Sequence, residues 1–193
     1  MAETEETLDG RWDFETIHRE YRERIRRYLR HLAGEAEADD LTQEVFAKVS
    51  KALAGFRGDS SLSTWIYRIA TNVAHDHARK SGGWDEADLD AVGELPDPSR
   101  ETADRDYIRR EMRSCVRELV EQLPDNYRTV LLLSDFVELP NAAIAEILGL
   151  SLETVKIRLH RARTKLRTLL ECRCIFYRDE DSGLMCDRKQ EEE

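Results

Sequence analysis

The chain has 193 residues, 36% of them charged, and a formal net charge of -10. That length suits one large domain or two small ones. No apolar run is long enough to span a membrane, the acidic first residues do not read as a secretory leader, and four cysteines in a chain expected in the cytoplasm argue against a disulfide framework.

The charge is segregated along the chain. Residues 141–170 hold six Lys or Arg against Glu146 and Glu153, whereas residues 85–106 hold nine acids against Arg100 and Arg105. The acidity falls in linkers and tails, so the overall balance does not exclude a nucleic-acid partner.

Residues 1–12 are polar and predict a frayed head. From Asp13 an amphipathic helix begins, with Phe14, Ile17, Tyr21, Ile25, Tyr28, Leu29 and Leu32 on one face, and Gly34 ends it. A second helix is expected from about Asp39, striped by Leu41, Val45, Phe46, Val49 and Leu53. Asp39, Asp40, Gln43 and Glu44 crowd its first turns. Capping and dipole complementation explain the Asp pair but not Gln43 and Glu44. After the loop "GFRG", which continues to Ser61, a third helix runs from about Ser63 to Lys80. Its core face is Leu62, Trp65, Ile66, Ile69, Ala70 and Val73, and Arg68, Asn72, His75 and Arg79 form a separate polar stripe. With Trp65, Tyr67 and the loop residues Phe56, Arg57, Ser60 and Ser61, this is the mixture of cations, amides and aromatics that holds single-stranded nucleic acid. Core packing accounts for Phe56 and Trp65 at least as well. His75 and His77 are two residues apart on a helix, point apart, and do not read as a metal site.

Residues 82–105 are acidic, contain Gly and Pro, and show no helical stripe, which predicts a flexible linker between domains spanning 13–81 and 106–171. Helical periodicity resumes at about Arg105 with Ile108, Met112, Cys115, Val116, Leu119 and Leu123. Pro124 interrupts it, and Asp125 or Asn126 can cap the next helix, which carries Tyr127, Val130, Leu131 and Phe136.

Asn141–Leu170 reads as helix, turn, helix. Ile144, Ala145 and Leu148 share a face, Gly149 supplies the left-handed turn, and Ser151 can cap the second helix. Leu152, Val155, Leu159, Ala162, Leu166 and Leu169 make its apolar stripe. Between Lys156 and Arg167 there are six basic residues and no acid. Glu153, Ile157, His160, Arg161 and Thr164 point away from the stripe and form a candidate major-groove face, with Ser151 and Thr154 at its start. Lys156, Arg158 and Arg163 flank it as phosphate contacts. An outward Ile157 suits a thymine methyl. A solvated basic helix end is the plainer reading, but such faces usually mix both signs.

In the tail, 172–193, "CRCIFYR" and "LMCDRK" flank a turn composition and can pair as a β-hairpin that sets Cys174 opposite Cys186. Cys172, Cys174 and Cys186 are candidate ligands for zinc or another thiophilic metal, or a thiol switch, with structural cysteines as the default.

Two of these stretches resemble a known family. "DDLTQEVFAKVSKALAGFRGDSSLSTWIYRIATNVAHDHARK" is similar to region 2 of sigma factors, and "LPDNYRTVLLLSDFVELPNAAIAEILGLSLETVKIRLHRARTKLRTLLE" is similar to region 4. Their order resembles the extracytoplasmic-function group of the sigma-70 superfamily, over about Phe14 to Glu171. The resemblance implies an all-α fold of two small helical domains on a flexible linker, and a promoter-specificity subunit of bacterial RNA polymerase. It implies that Asp39, Asp40, Gln43 and Glu44 grip core RNA polymerase. It implies that Phe56–Ser61, Arg68, Asn72 and His75 read and open the minus-ten element, and that region 4 reads the minus-thirty-five element as duplex. Ile157 stands where the family usually has a small polar residue, and Ala143 where it often has an acid.

The expected partners are core RNA polymerase, promoter DNA and an anti-sigma protein, with no membrane insertion, no enzymatic activity and no required cofactor. A dimeric DNA-binding regulator would not need the acidic surface or the single-strand face. A nuclease would need carboxylates clustered at the DNA-binding face. The two domains are also expected to pack together when free and mask DNA-binding surfaces.

Overall fold

The computed structural model describes residues 12–82, 116–179 and 183–189, with the backbone alone considered from residue 178 to 188. The expected head, nearly all of the linker, and the stretch carrying Cys115 lie outside the described residues.

Helix α1 (Phe14–Ala33) starts where the Asp13 carboxylate accepts the N–H groups of Glu15 and Thr16, at 3.3 and 3.0 Å. Ile17, Tyr21, Ile25, Tyr28, Leu29 and Leu32 are buried, as the periodicity predicts. Gly34, at φ 98°, ends α1 and opens α2 (Glu35–Ala52) at once. Only glycine holds that backbone without strain. This moves the start of α2 four residues ahead of Asp39. Glu35 and Glu37 occupy its first turn, so capping does not explain Asp39 and Asp40. A 3-10 turn (Leu53–Gly55) and a loop lead to α3 (Leu62–Lys80), capped by Ser61, whose hydroxyl accepts the Thr64 N–H at 3.0 Å.

These helices pack as a three-helix unit. At its centre Tyr28 and Tyr67 meet edge to face at 5.3 Å, and the Tyr28 hydroxyl lies 2.9 Å from Thr71 Oγ1. Thr71 also donates to the Tyr67 carbonyl at 2.7 Å, so this buried polar site is satisfied.

The second unit begins with α4, described over 116–121. Helix α5 (Asp125–Leu131) follows Pro124 directly and has no side-chain cap. Asp125 and Asn126, expected as caps, are instead its first two helical residues and are buried; Asp125 pairs with Arg128. A π-helical turn (Leu132–Phe136) leads to α6 (Asn141–Leu148). Gly149 takes the left-handed conformation, φ 65° and ψ 32°, and the Ser151 hydroxyl accepts the Thr154 N–H at 3.0 Å to start α7 (Leu152–Arg173). Val155, Leu159 and Ala162 are buried, whereas Leu152 is exposed and leaves the expected stripe.

Helix α7 runs two residues past the expected domain boundary, so Cys172 sits in its last turn rather than in the tail's strand. Strands β1 (Cys174–Asp179) and β2 (Gly183–Arg188) form the expected antiparallel hairpin. Its register differs: Cys174 pairs with Arg188, and Cys186 with Phe176. The turn is centred one residue later than expected, which shifts every partner by two.

The two units share one continuous apolar core. Ile66, Tyr67 and Val73 of the first belong to the same cluster as Val130, Leu133, Ile144 and Ile147 of the second. Helix α3 packs on α6, and α1 on α5 and the π-turn.

Replacing Tyr28 by Phe removes the hydroxyl from Thr71 without changing the ring. Urea unfolding is expected to show a loss of about 1 kcal/mol.

Candidate nucleic-acid and polymerase surfaces

The acidic group on α2 divides in two. Arg26 of α1 donates from Nε to Asp39 at 2.7 Å and from Nη2 to Glu35 at 3.1 Å. The Arg26 guanidinium holds the Asp39 carboxyl below its ordinary pKa. Asp39 therefore ties α1 to α2. Asp40, Gln43 and Glu44 lie on the exposed side, with Lys48 2.9 Å from Glu44. All four predicted residues are exposed, and Asp39 is the one tied across to another helix.

The loop before α3 is backed by aromatic rings. Phe56 and Trp65 are 5.0 Å apart and both half-buried, so packing accounts for them. Trp12, which periodicity alone does not pick out, adds a third ring 6.1 Å from Phe56 and is itself exposed. Arg57 and Ser61 are exposed and Ser60 half-buried.

The polar stripe on α3 exists, but it meets protein. Arg68 Nη2 donates to Glu146 Oε1 of α6 at 2.5 Å. His75 Nε2 lies 3.3 Å from Thr129 Oγ1 of α5. Burial, with Arg79 adding to it, pushes the His75 pKa down to about 4 despite the opposing pull of Asp125 and Asp76. Asn72 and Arg79 remain exposed, Arg79 pairing with Asp76 at 3.1 Å. His77 turns away from His75 to Glu37, at 3.2 Å. A second joint contact sets His31 of α1 edge-on to Phe136, 4.6 Å between centroids. Burial and the nearby Arg30 and Arg117 push its pKa down to about 4 as well.

The helix-turn-helix presents the predicted face. Glu153, Lys156, Ile157 and His160 are exposed, Thr154, Arg158 and Arg161 half-buried. Ile157 is 42% exposed, too open for a core residue. Arg163 differs from expectation, because Asp135 of the π-turn holds it at 2.6 and 3.2 Å. A phosphate at Arg163 must compete with that carboxylate.

In the tail, Cys172 is exposed and Cys174 is buried against Leu119, Leu166, Leu169 and Leu170. Among the described residues no three His, Cys, Asp or Glu side chains converge as a metal site; the Cys186 side chain lies outside them. No described helix is long and apolar enough to cross a membrane.

Sequence reasoning missed Glu146, Thr129 and Asp135, the partners of Arg68, His75 and Arg163. An acid or threonine on a helix reads as solvated, and Arg68 and Glu146 are 78 positions apart.

Residues 17–83 match the family described as Sigma-70 region 2, and residues 113–166 match Sigma-70, region 4. The chain is 35% identical over 162 residues to the RNA polymerase sigma factor YlaC of Bacillus subtilis, covering 83% of this chain and 93% of the relative. It is 34% identical over 158 residues to the ECF RNA polymerase sigma factor SigW of Bacillus subtilis, covering 78% and 84%. In fold it is similar to the sigma factor RpoE of Bartonella quintana, solved in complex with the anti-sigma factor NepR. The TM-score is 0.64, at 22% identity, over 82% of this chain and 97% of that one.

Half-buried His75, its pKa pushed down to about 4, makes the packing pH-dependent. Its pKa lies below the ordinary value of about 6.5, so its contribution is fully present above that pH. It is lost as pH falls towards 4. The unfolding free energy of wild type minus that of His75→Gln is expected to shrink by about 2 kcal/mol between pH 7 and 5. Paired denaturation series at each pH measure it.

Proposed function

The chain belongs to the extracytoplasmic-function group of the sigma-70 family, and from that premise we propose how its surfaces divide the work of transcription initiation. The protein is a sigma factor: it binds core RNA polymerase, recognises promoter DNA and directs initiation. Asp40, Gln43 and Glu44 form the polymerase contact, with Asp39 holding their helix in place through Arg26. The observation that carries this assignment is that α2 begins at Glu35. These residues are then too far into the helix to serve as its cap, and they stand exposed on one side of it.

Region 4 reads the minus-thirty-five duplex through α7. Lys156, Arg158 and the helix start at Ser151 and Thr154 bind phosphates, while Glu153, Ile157, His160 and Arg161 face base edges. Ile157 offers an apolar contact that favours thymine. Region 2 captures the melted minus-ten strand on Phe56, Arg57, Ser60, Ser61 and the α3 stripe of Arg68, Asn72, His75 and Arg79. Extruding a base costs a few kcal/mol, and stacking with charge-assisted phosphate contacts offsets it.

The chain acts by binding, in the cytoplasm where polymerase works, with no catalytic step and no required cofactor. Its partners include an anti-sigma protein, by analogy with the complex of the Bartonella relative. For the tail, we favour oxidation over metal binding, since Cys172 is open to solvent and Cys174 is enclosed by leucines.

Run-off transcription with purified bacterial core polymerase, on the promoter upstream of the chain's own gene, tests the assignment. The wild type is expected to give a specific transcript. Asp40→Lys with Glu44→Lys is expected to reduce it more than tenfold while duplex binding persists. Duplex binding without any wild-type transcript would point instead to an ordinary DNA-binding regulator. Ile157→Ser is expected to weaken binding to a thymine-bearing minus-thirty-five duplex by roughly fivefold, an apolar base contact of about 1 kcal/mol, read by fluorescence anisotropy.

A further inference from the structure

The aromatic rings beside the loop before α3 form a chain of contacts that runs from the core to solvent. Trp65 packs on the apolar core, Phe56 lies 5.0 Å from Trp65, and Trp12 lies 6.1 Å from Phe56. Trp65 and Phe56 are half-buried, whereas Trp12 is 45% exposed. Among the described residues of the first unit, Trp12 is the one exposed large hydrophobic side chain. Its place is fixed from behind. Asp13 caps α1 by accepting the Glu15 and Thr16 N–H groups, and the Thr16 hydroxyl donates to the same carboxylate at 2.7 Å. The backbone ahead of α1 is thereby set, and the indole rests on the loop. Seating the loop does not require it, because Phe56 already packs on Trp65. An indole left this open also forfeits much of the free energy that burial would supply. Trp12 and Phe56 are tilted by 58° rather than stacked, and the residue after Phe56, Arg57, is an exposed cation. An open π-surface and a positive charge thus meet at one loop.

We propose that Trp12 is a base-stacking residue for the melted minus-ten strand. The inference rests on the reading of Phe56–Ser61 as part of the strand surface, and it extends that surface onto the chain ahead of α1. Trp12 lies outside residues 17–83, so the contact falls beyond the stretch that matches region 2. An unpaired base has a broad face that gains by leaving water for an aromatic ring, while Arg57 meets an adjoining phosphate. Every base has such a face. Trp12 therefore adds affinity for the strand without choosing among bases, and sequence choice stays with the loop and α3.

The test uses the full chain assembled with core polymerase, and a labelled single-stranded oligonucleotide carrying the minus-ten region upstream of its own gene. Trp12→Leu keeps an apolar cover on Phe56 but removes the π-face, and it is expected to weaken strand binding about tenfold. Trp12→Phe is expected to retain most of the affinity. Strands lacking one base at a time locate the stack. At one position, loss of the base is expected to bring wild type and Trp12→Leu to equal affinity. Exchange of that base for each of the other three is expected to leave the ratio between them in place. Arg57→Gln is expected to weaken strand binding with Trp12 intact. If Arg57→Gln weakens binding and Trp12→Leu does not, stacking by Trp12 is overturned and the role of the loop stands. If neither changes binding, the strand reading of the loop fails, and the inference with it. A Trp12→Leu loss that persists on every strand lacking a base, or that disappears once the chain saturates core polymerase, would set Trp12 against protein and contradict the proposal.

Discussion

Helix α3 has two faces and both are engaged by protein. Its apolar face, with Ile66, Ala70 and Val73 buried, completes the core of the first three-helix unit. Its polar stripe, through Arg68 and His75, touches the second unit. A helix used in this way cannot offer its full stripe to DNA while it holds the molecule closed. The placement of α5 and α6 follows from that constraint. So does the neutrality of His75, whose ring sits in a joint that would exclude its charged form.

Much of the fold is legible in the sequence because it depends on short-range rules. The apolar spacing of α1, the Ser61 and Ser151 caps and the left-handed Gly149 each need only neighbouring residues, and each appears where periodicity and capping put it. The misplaced elements also have local causes. Asp39 and Asp40 resemble an N-terminal cap, yet Gly34 allows the chain to re-enter a helix at once, and Asp39 is committed to Arg26. Asp125 likewise looks like a cap, but Pro124 already fixes the backbone ahead of the helix. The hairpin was expected, yet a one-residue difference in its turn moved Cys174 from Cys186 to Arg188.

The candidate site was legible by residue type and not by state. Arg68, Asn72 and His75 fall on one stripe by spacing alone, as do the outward residues of α7. Which of them meet another part of the chain was invisible, because Glu146, Thr129 and Asp135 lie far from their partners in sequence. Charge reinforces the division of surfaces. The basic residues concentrate on α7, and the acids Asp40 and Glu44 stand exposed on α2. A net charge of -10 therefore coexists with a DNA-binding face of opposite sign.

Holding a melted promoter strand along the full α3 stripe requires this sigma factor to open between its two units. Single-molecule energy transfer tests it most directly, with dyes at Lys51→Cys and Lys165→Cys in a chain whose native cysteines are replaced by Ser. The free chain is expected to show one high-transfer state. Its complex with core polymerase and an open promoter is expected to show a low-transfer state. Unchanged high transfer in an actively transcribing complex would contradict the account.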